Sequence, residues 1–125
     1  METLVDIHSW LRWLVLPALG GGAIVGFVSA TQKREWNDTA YAVAAIIVDV
    51  QVTLGIILWI FNQGWELGFF IAVIHPILML AAVAVAHITV KRARTQGGTP
   101  AHMTAAIGLT ISLVLVVAAI PWQRL

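Results

Sequence analysis

Four apolar runs, at roughly His8–Ala30, Thr39–Asn62, Leu67–Val90 and Met103–Trp122, take up almost all of this 125-residue chain. Each exceeds the ~20 residues a helix needs to cross ~30 Å of hydrocarbon. The fold expected is all-α and membranous: four transmembrane helices in an up-down bundle. Sixty per cent of the residues are hydrophobic and only 10% are charged, outside the range of an ordinary soluble domain. So little chain remains between the runs that residues 1–125 are expected to form a single transmembrane domain.

The charge pattern narrows the partners and sets an orientation. A net charge of +1 says nothing about nucleic acid and no basic arm supports that reading, so no nucleic-acid partner is expected and the lipid bilayer is the chain's first partner. The first eleven residues carry Glu2 and Asp6 and no Lys or Arg, the opposite of a signal peptide's basic leader, so the first run is expected to be retained. Lys33 and Arg34 fall in the first loop and Lys91, Arg92 and Arg94 in the third, whereas Asn62–Glu66 has no basic residue. By the positive-inside rule, loops one and three are cytoplasmic and both termini lie outside, with Arg12 and Arg124 as exceptions. Trp10, Trp13, Trp59, Trp65 and Trp122 then cluster near the outer interface as an aromatic belt. The expected setting is a bacterial inner membrane, with extracytoplasmic termini.

Turn and packing signals support these boundaries. Asn37 or Asp38 is suited to cap the second span, and Gln96-Gly-Gly-Thr-Pro100 reads as a flexible turn, with Thr99-Pro100 suited to a helix start. Gly22 and Gly26 on the first span, and Thr104, Gly108 and Ser112 on the fourth, are spaced for close helix contact. Pro17 and Pro76 each remove an internal hydrogen bond, and Pro76 could equally mark where its helix proper begins. Ile7-His8-Ser9 and Ile74-His75-Pro76 form a faint two-fold echo.

The polar residues inside the runs carry the chemical reading. His8 stands at the outer mouth of the first span with Arg12 one turn deeper on the same face. His75 lies roughly 10 Å below the same boundary, at ~1.5 Å per residue. A histidine pair on facing helices is how a bundle builds a cofactor site, and imidazole is an axial ligand of haem iron. Arg12 offers a fork to a haem propionate, although an interfacial His8 and a hydrogen-bonding His75 remain the plain alternatives. Asp49, near the middle of the second span, is the costliest residue, at ~2.5–3.5 kcal/mol for a lone carboxylate. It is expected to face the interior, as an acceptor for a ligand histidine, a proton-relay group, a partner for Arg12, or a structural pair. Thr53 shares its face, while Gln51 lines up with Gly55 on another.

His87 follows His75 by twelve residues, so the two point about 120° apart and cannot serve two haems stacked on one face. His102, just after a Gly/Thr/Pro turn, is expected at the surface. No phosphate loop, nucleophile elbow or His-Glu-x-x-His helix is present, and the lack of cysteine excludes disulfides, thiolate metal sites and covalent haem. His8 and His75 with a distant Asp49 make a poor tetrahedral metal set.

His8-Ser-Trp-Leu-Arg-Trp13, Gln51 with Leu54-Gly55, His75-Pro76 with Met79, and Ile120-Pro-Trp122 resemble a group of small, largely uncharacterised bacterial four-helix membrane proteins sometimes described as cytochrome-b-like. More distantly, the chain is similar to the copper-resistance D-type membrane domain and to the haem-containing protoporphyrinogen oxidase. The last likewise opens with a histidine in its first span, although its wider pattern of charged residues finds no match here. The resemblance implies His8 as a haem ligand.

The function expected is a membrane b-type cytochrome, with one haem b near the outer face held by His8 and His75. Arg12, Asp49 and Gln51 would surround it, and electrons would pass to or from a quinone or other membrane subunits. The main competitor is a cofactor-free accessory subunit of a respiratory or photosynthetic complex. A porphyrin oxidoreductase and a proton pathway through Asp49 stand behind these two.

Overall fold

The computed structural model describes residues 2–122. Arg124, one of the two basic exceptions above, lies outside them. Four helices, α1 (Glu2–Thr31), α2 (Thr39–Phe61), α3 (His75–Gln96) and α4 (Gly98–Ala119), account for most of the chain, and no strand occurs among the described residues. All four are long and apolar enough to cross a membrane, α3 together with the turn that precedes it.

The ends of these helices differ from expectation in ways that move side chains. α1 starts at Glu2, before the apolar run, because Glu2 in its first turn suits the positive end of the helix dipole. His8 is therefore inside α1 rather than at its mouth. Pro17 sits within α1 without interrupting it. Asn37 Oδ1 accepts the Thr39 N–H at 3.0 Å, while the Asp38 side chain makes no cap bond and instead accepts from Arg94 at 2.6 Å.

α3 and α4 are joined by Gly97 alone, whose φ of +69° with ψ of 154° is open essentially only to glycine. What reads as a flexible turn is a one-residue joint. Thr99 and Pro100 lie in the first turn of α4, where an amide has no helical partner to lose. His102 is carried with them into the helix.

Ahead of α3, a π-helical turn spans Phe70–Ile74 and runs directly into His75-Pro76. Proline cannot donate to the carbonyl four residues back and its ring crowds that carbonyl, so a locally wider turn accommodates it. Pro76 thus marks the start of the helix proper.

The helices form a ring in chain order, each packed on its sequence neighbours, with α1 closing against α4. α3–α4 and α1–α4 are the most extensive contacts and α2–α3 the least. Small residues set the close approaches. A Cβ on Gly26 would lie 2.7 Å from Ala106 Cβ, and one on Gly108 would collide with Thr89. Ser112 donates to the Ala82 carbonyl at 2.9 Å, tying α4 to α3. Large apolar side chains such as Ile24, Ile46, Phe61 and Val114 point outward, as they must where the surroundings are lipid.

Candidate cofactor site

At the end of the bundle away from Lys33 and Arg94, side chains from all four helices line a partly open cavity of about 230 Å³. α1 contributes His8 and Arg12, α2 Gln51, Gly55 and Trp59, α3 His75 and Met79, and α4 Val116 and Ala119. A second cavity of about 240 Å³ lies against His8, Gln51, Gly55, Trp59, His75 and Met79 and extends between α2 and α3 to Val52, Ile56, Pro76 and Leu80. The two share the histidine pair, and together they fall within the ~300–1,000 Å³ of small-molecule sites.

The stripe Gln51, Gly55, Trp59 repeats every four residues, one turn of α2 each, and so lines one face. Gln51 is buried and its Nε2 donates to the His8 carbonyl at 2.8 Å, fixing α2 against α1 at the depth of that histidine. Gly55 brings α2 close to the ring: a Cβ there would sit 3.0 Å from His8 Cε1 and 3.6 Å from Nε2. Gly64, in the 3₁₀ turn Gly64–Glu66, leaves the space that the Trp59 indole fills.

His8 and His75 have ring centroids 6.3 Å apart with planes crossed at 87°. Two imidazoles each bound at ~2.0–2.1 Å to one ion have ring centres about 6 Å apart, so the pair has the separation of a shared metal centre. His75 Nδ1 donates to the Ala119 carbonyl at 2.7 Å. In a neutral ring that leaves Nε2 as the lone-pair nitrogen, the arrangement by which proteins orient a metal-binding imidazole.

Four buried side-chain polar atoms lack a hydrogen-bond partner among the described residues: His8 Nδ1, Arg12 Nε, Gln51 Oε1 and Trp59 Nε1. All four residues line the inner cavity. Buried polar groups are almost always paired, and an exception calls for a bound molecule or a specific role. Here the exceptions collect in one place. Two of them donate, from Arg12 and Trp59, which suits a ligand carrying carboxylate or carbonyl oxygens. No group of three or more His, Asp or Glu side chains among the described residues could hold a free metal ion.

Of the five residues singled out in the sequence, His8, Arg12, Gln51 and His75 meet at this cavity. Asp49 does not. Its carboxylate accepts from His87 Nε2 at 2.7 and 2.9 Å, on the outward side of the α2–α3 seam. It therefore pairs neither with a histidine of the cavity nor with Arg12, whose guanidinium carbon lies 5.0 Å from the centre of the Trp13 ring. The acceptor that orients His75 is a backbone carbonyl, which no residue type could have announced. Trp59 reads in the sequence as a belt residue, although its four-residue spacing from Gly55 was a signal.

His102 is likewise not at the surface. It is 2% exposed, with Nδ1 2.6 Å from the Tyr41 hydroxyl and Nε2 2.8 Å from the Glu35 carbonyl. A carbonyl only accepts, so Nε2 carries the proton and Nδ1 accepts from Tyr41. Trp36 stacks on Tyr41 at 5.3 Å, completing a latch that pins the α1–α2 connection to α4. Every nitrogen of His102 is satisfied, and its role is structural.

No protein-family model, curated protein or solved structure matches this chain.

Proposed function

We propose that this chain is an integral membrane b-type cytochrome holding one haem between His8 and His75, close to the end of the bundle that carries the tryptophans. The observation that carries the proposal is the coincidence of a histidine pair at 6.3 Å with a cavity that gathers the four unpartnered buried polar atoms. When bound, the haem supplies reversible one-electron chemistry. His75, its Nδ1–H held by Ala119, presents Nε2 in fixed orientation. Arg12 directs a fork of donors at a propionate, and Gln51 keeps α1 and α2 in register around the cofactor. Val15, Met79 and Val116 supply apolar walls beside the histidine pair.

The proposal includes placement in a bacterial inner membrane with the site and both termini outside, which agrees with Lys33, Arg34, Lys91, Arg92 and Arg94 standing at the opposite end. It also includes kinship with the small cytochrome-b-like proteins that the chain resembles, and electron exchange with a quinone or a neighbouring subunit. The test is an absorption spectrum of the detergent-purified protein, oxidised and then dithionite-reduced, after expression with ample haem. A Soret band with a reduced α band of b type, lost in His8→Ala and in His75→Ala, is expected. A flat visible spectrum overturns the proposal. In that case the accessory-subunit reading stands, favoured by how little of α3 the bundle covers: 17% of its most apolar stretch is buried, against 33–44% in the other three helices.

A further inference from the structure

We propose that the outward face of the α2–α3 seam, centred on the Asp49–His87 pair, is where a second copy of this chain docks in the membrane. Asp49 lies ten residues from the start of α2 and twelve from its end, so the pair sits at mid-bilayer depth. Its side chains are nonetheless 39% and 50% exposed. Polar groups at this depth normally face protein or a water-filled path, because hydrocarbon offers them no partner. Neither of the cavities described above touches these two side chains, and a protein surface from outside would supply the cover they lack.

The chemistry of the pair selects that surface. His87 uses Nε2 to hold both carboxylate oxygens and its Nδ1 has no hydrogen bond, while each carboxylate oxygen keeps a lone pair to spare. In its imidazolium–carboxylate form such a pair is net neutral and presents the Nδ1–H donor beside a carboxylate acceptor. A two-fold axis through the seam sets each His87 Nδ1 against the other copy's Asp49 carboxylate, giving a closed ring of two acids and two imidazoles with no charge left over. Isologous contacts of this kind require a self-complementary patch, and this patch is one.

The surroundings permit the approach. Thr53 lies one turn from Asp49 and Ala84 one turn from His87; both are exposed and small. Small residues beside a polar contact are what close helix association in lipid requires. α3, which supplies half the patch, is the helix least covered by its own bundle.

The chain contains no cysteine, so single replacements report position directly. Thr53→Cys and Ala84→Cys are treated with a short bis-maleimide in native membranes, with Val114→Cys, 62% exposed on α4 at Val114, as the reference. Dimer bands from positions 53 and 84, roughly tenfold stronger than from position 114, are expected. Adding Asp49→Leu with His87→Leu to the Ala84→Cys chain is expected to lower that yield by roughly tenfold, the scale of two interhelical hydrogen bonds. Equal or absent crosslinking at 53 and 84 relative to 114 overturns the proposal. So does capture at position 84 of a heavier, different subunit in place of a second copy. Should the double-leucine chain fail to insert, the single-cysteine comparison decides alone.

Discussion

Gly21, Gly22 and Gly26 present three different surroundings to one added methyl group, which makes them a graded test of the α1–α4 packing. A Cβ on Gly21 meets nothing within 4 Å. Alanine there only restricts the unfolded backbone and should add ~0.5–1 kcal/mol. On Gly22 the added carbon falls 2.8 Å from Leu109 Cδ1, the tip of a side chain able to turn aside, and 3.6 Å from Ala44 Cβ. On Gly26 it falls 2.7 Å from Ala106 Cβ and 3.1 Å from both Ala106 Cα and the His102 carbonyl oxygen. No rotamer change relieves those contacts. Restoring an ordinary ~3.5–4.0 Å separation requires α1 to move from α4 by about 1 Å. Overpacking of this kind costs ~1–3 kcal/mol, and after the helix gain Gly26→Ala should be ~0–2.5 kcal/mol less stable than the parent. Reversible unfolding in mixed micelles, followed by tryptophan fluorescence and far-ultraviolet circular dichroism, measures the series. The expected order is Gly21→Ala, then Gly22→Ala, then Gly26→Ala. A Gly26→Ala protein as stable as Gly21→Ala would refute the packing of α1 on α4 described above.

Three further predictions concern the site, the latch and the α3–α4 contact. Gly55→Ala pushes the His8 ring by about 0.5 Å, beyond the ~0.2 Å that metal–ligand distances tolerate, so haem retention should fall, and Gly55→Leu should abolish it; Soret absorbance per mole of protein measures this, and undiminished haem in Gly55→Leu would place the cofactor elsewhere. Tyr41→Phe leaves the buried His102 Nδ1 without its donor and should cost ~1–3 kcal/mol in the same unfolding assay. Ser112→Ala removes a bond to the Ala82 carbonyl, and should cost only ~0.6 kcal/mol, the average for such bonds between membrane helices. Equal losses in the last two would contradict the distinction drawn between an orphaned imidazole and a spare hydroxyl.

The four spans were legible because in a bilayer length and apolarity nearly suffice to define a helix. Their ends were less so. α1 extends back to Glu2 and α4 to Gly98, since backbone hydrogen bonding continues past the hydrocarbon wherever nothing stops it. The Gly97 joint could not be foreseen, because a glycine pair permits a flexible loop as readily as the tight joint found, in which both Gly97 and Gly98 take positive φ. That difference matters, for it is what moved His102 from an expected surface turn to a buried place beside Tyr41.

Which polar residues would prove important was easier to see than which would meet. A polar side chain in an apolar run is costly, so His8, Arg12, Asp49, Gln51 and His75 stood out individually. Pairing depends on the rotation of each helix about its axis, and a helix that is apolar all round conceals that rotation. Asp49 was therefore expected at the histidine site and instead holds His87. Of the two histidines of α3, His75 lines the cavity and His87 pairs with Asp49. Each histidine needs a partner, and three have one within the chain: a carbonyl for His75, a carboxylate for His87, a tyrosine and a carbonyl for His102. Of the four, only His8 keeps a buried ring nitrogen with no hydrogen bond. It does so beside a glycine that makes room for its ring and opposite a histidine already oriented to offer its free nitrogen. The other three imidazoles each make a bond within the chain, whereas the four buried polar atoms without a partner, His8 Nδ1 among them, all belong to residues that line this cavity, and that grouping is what supports the proposed ligand.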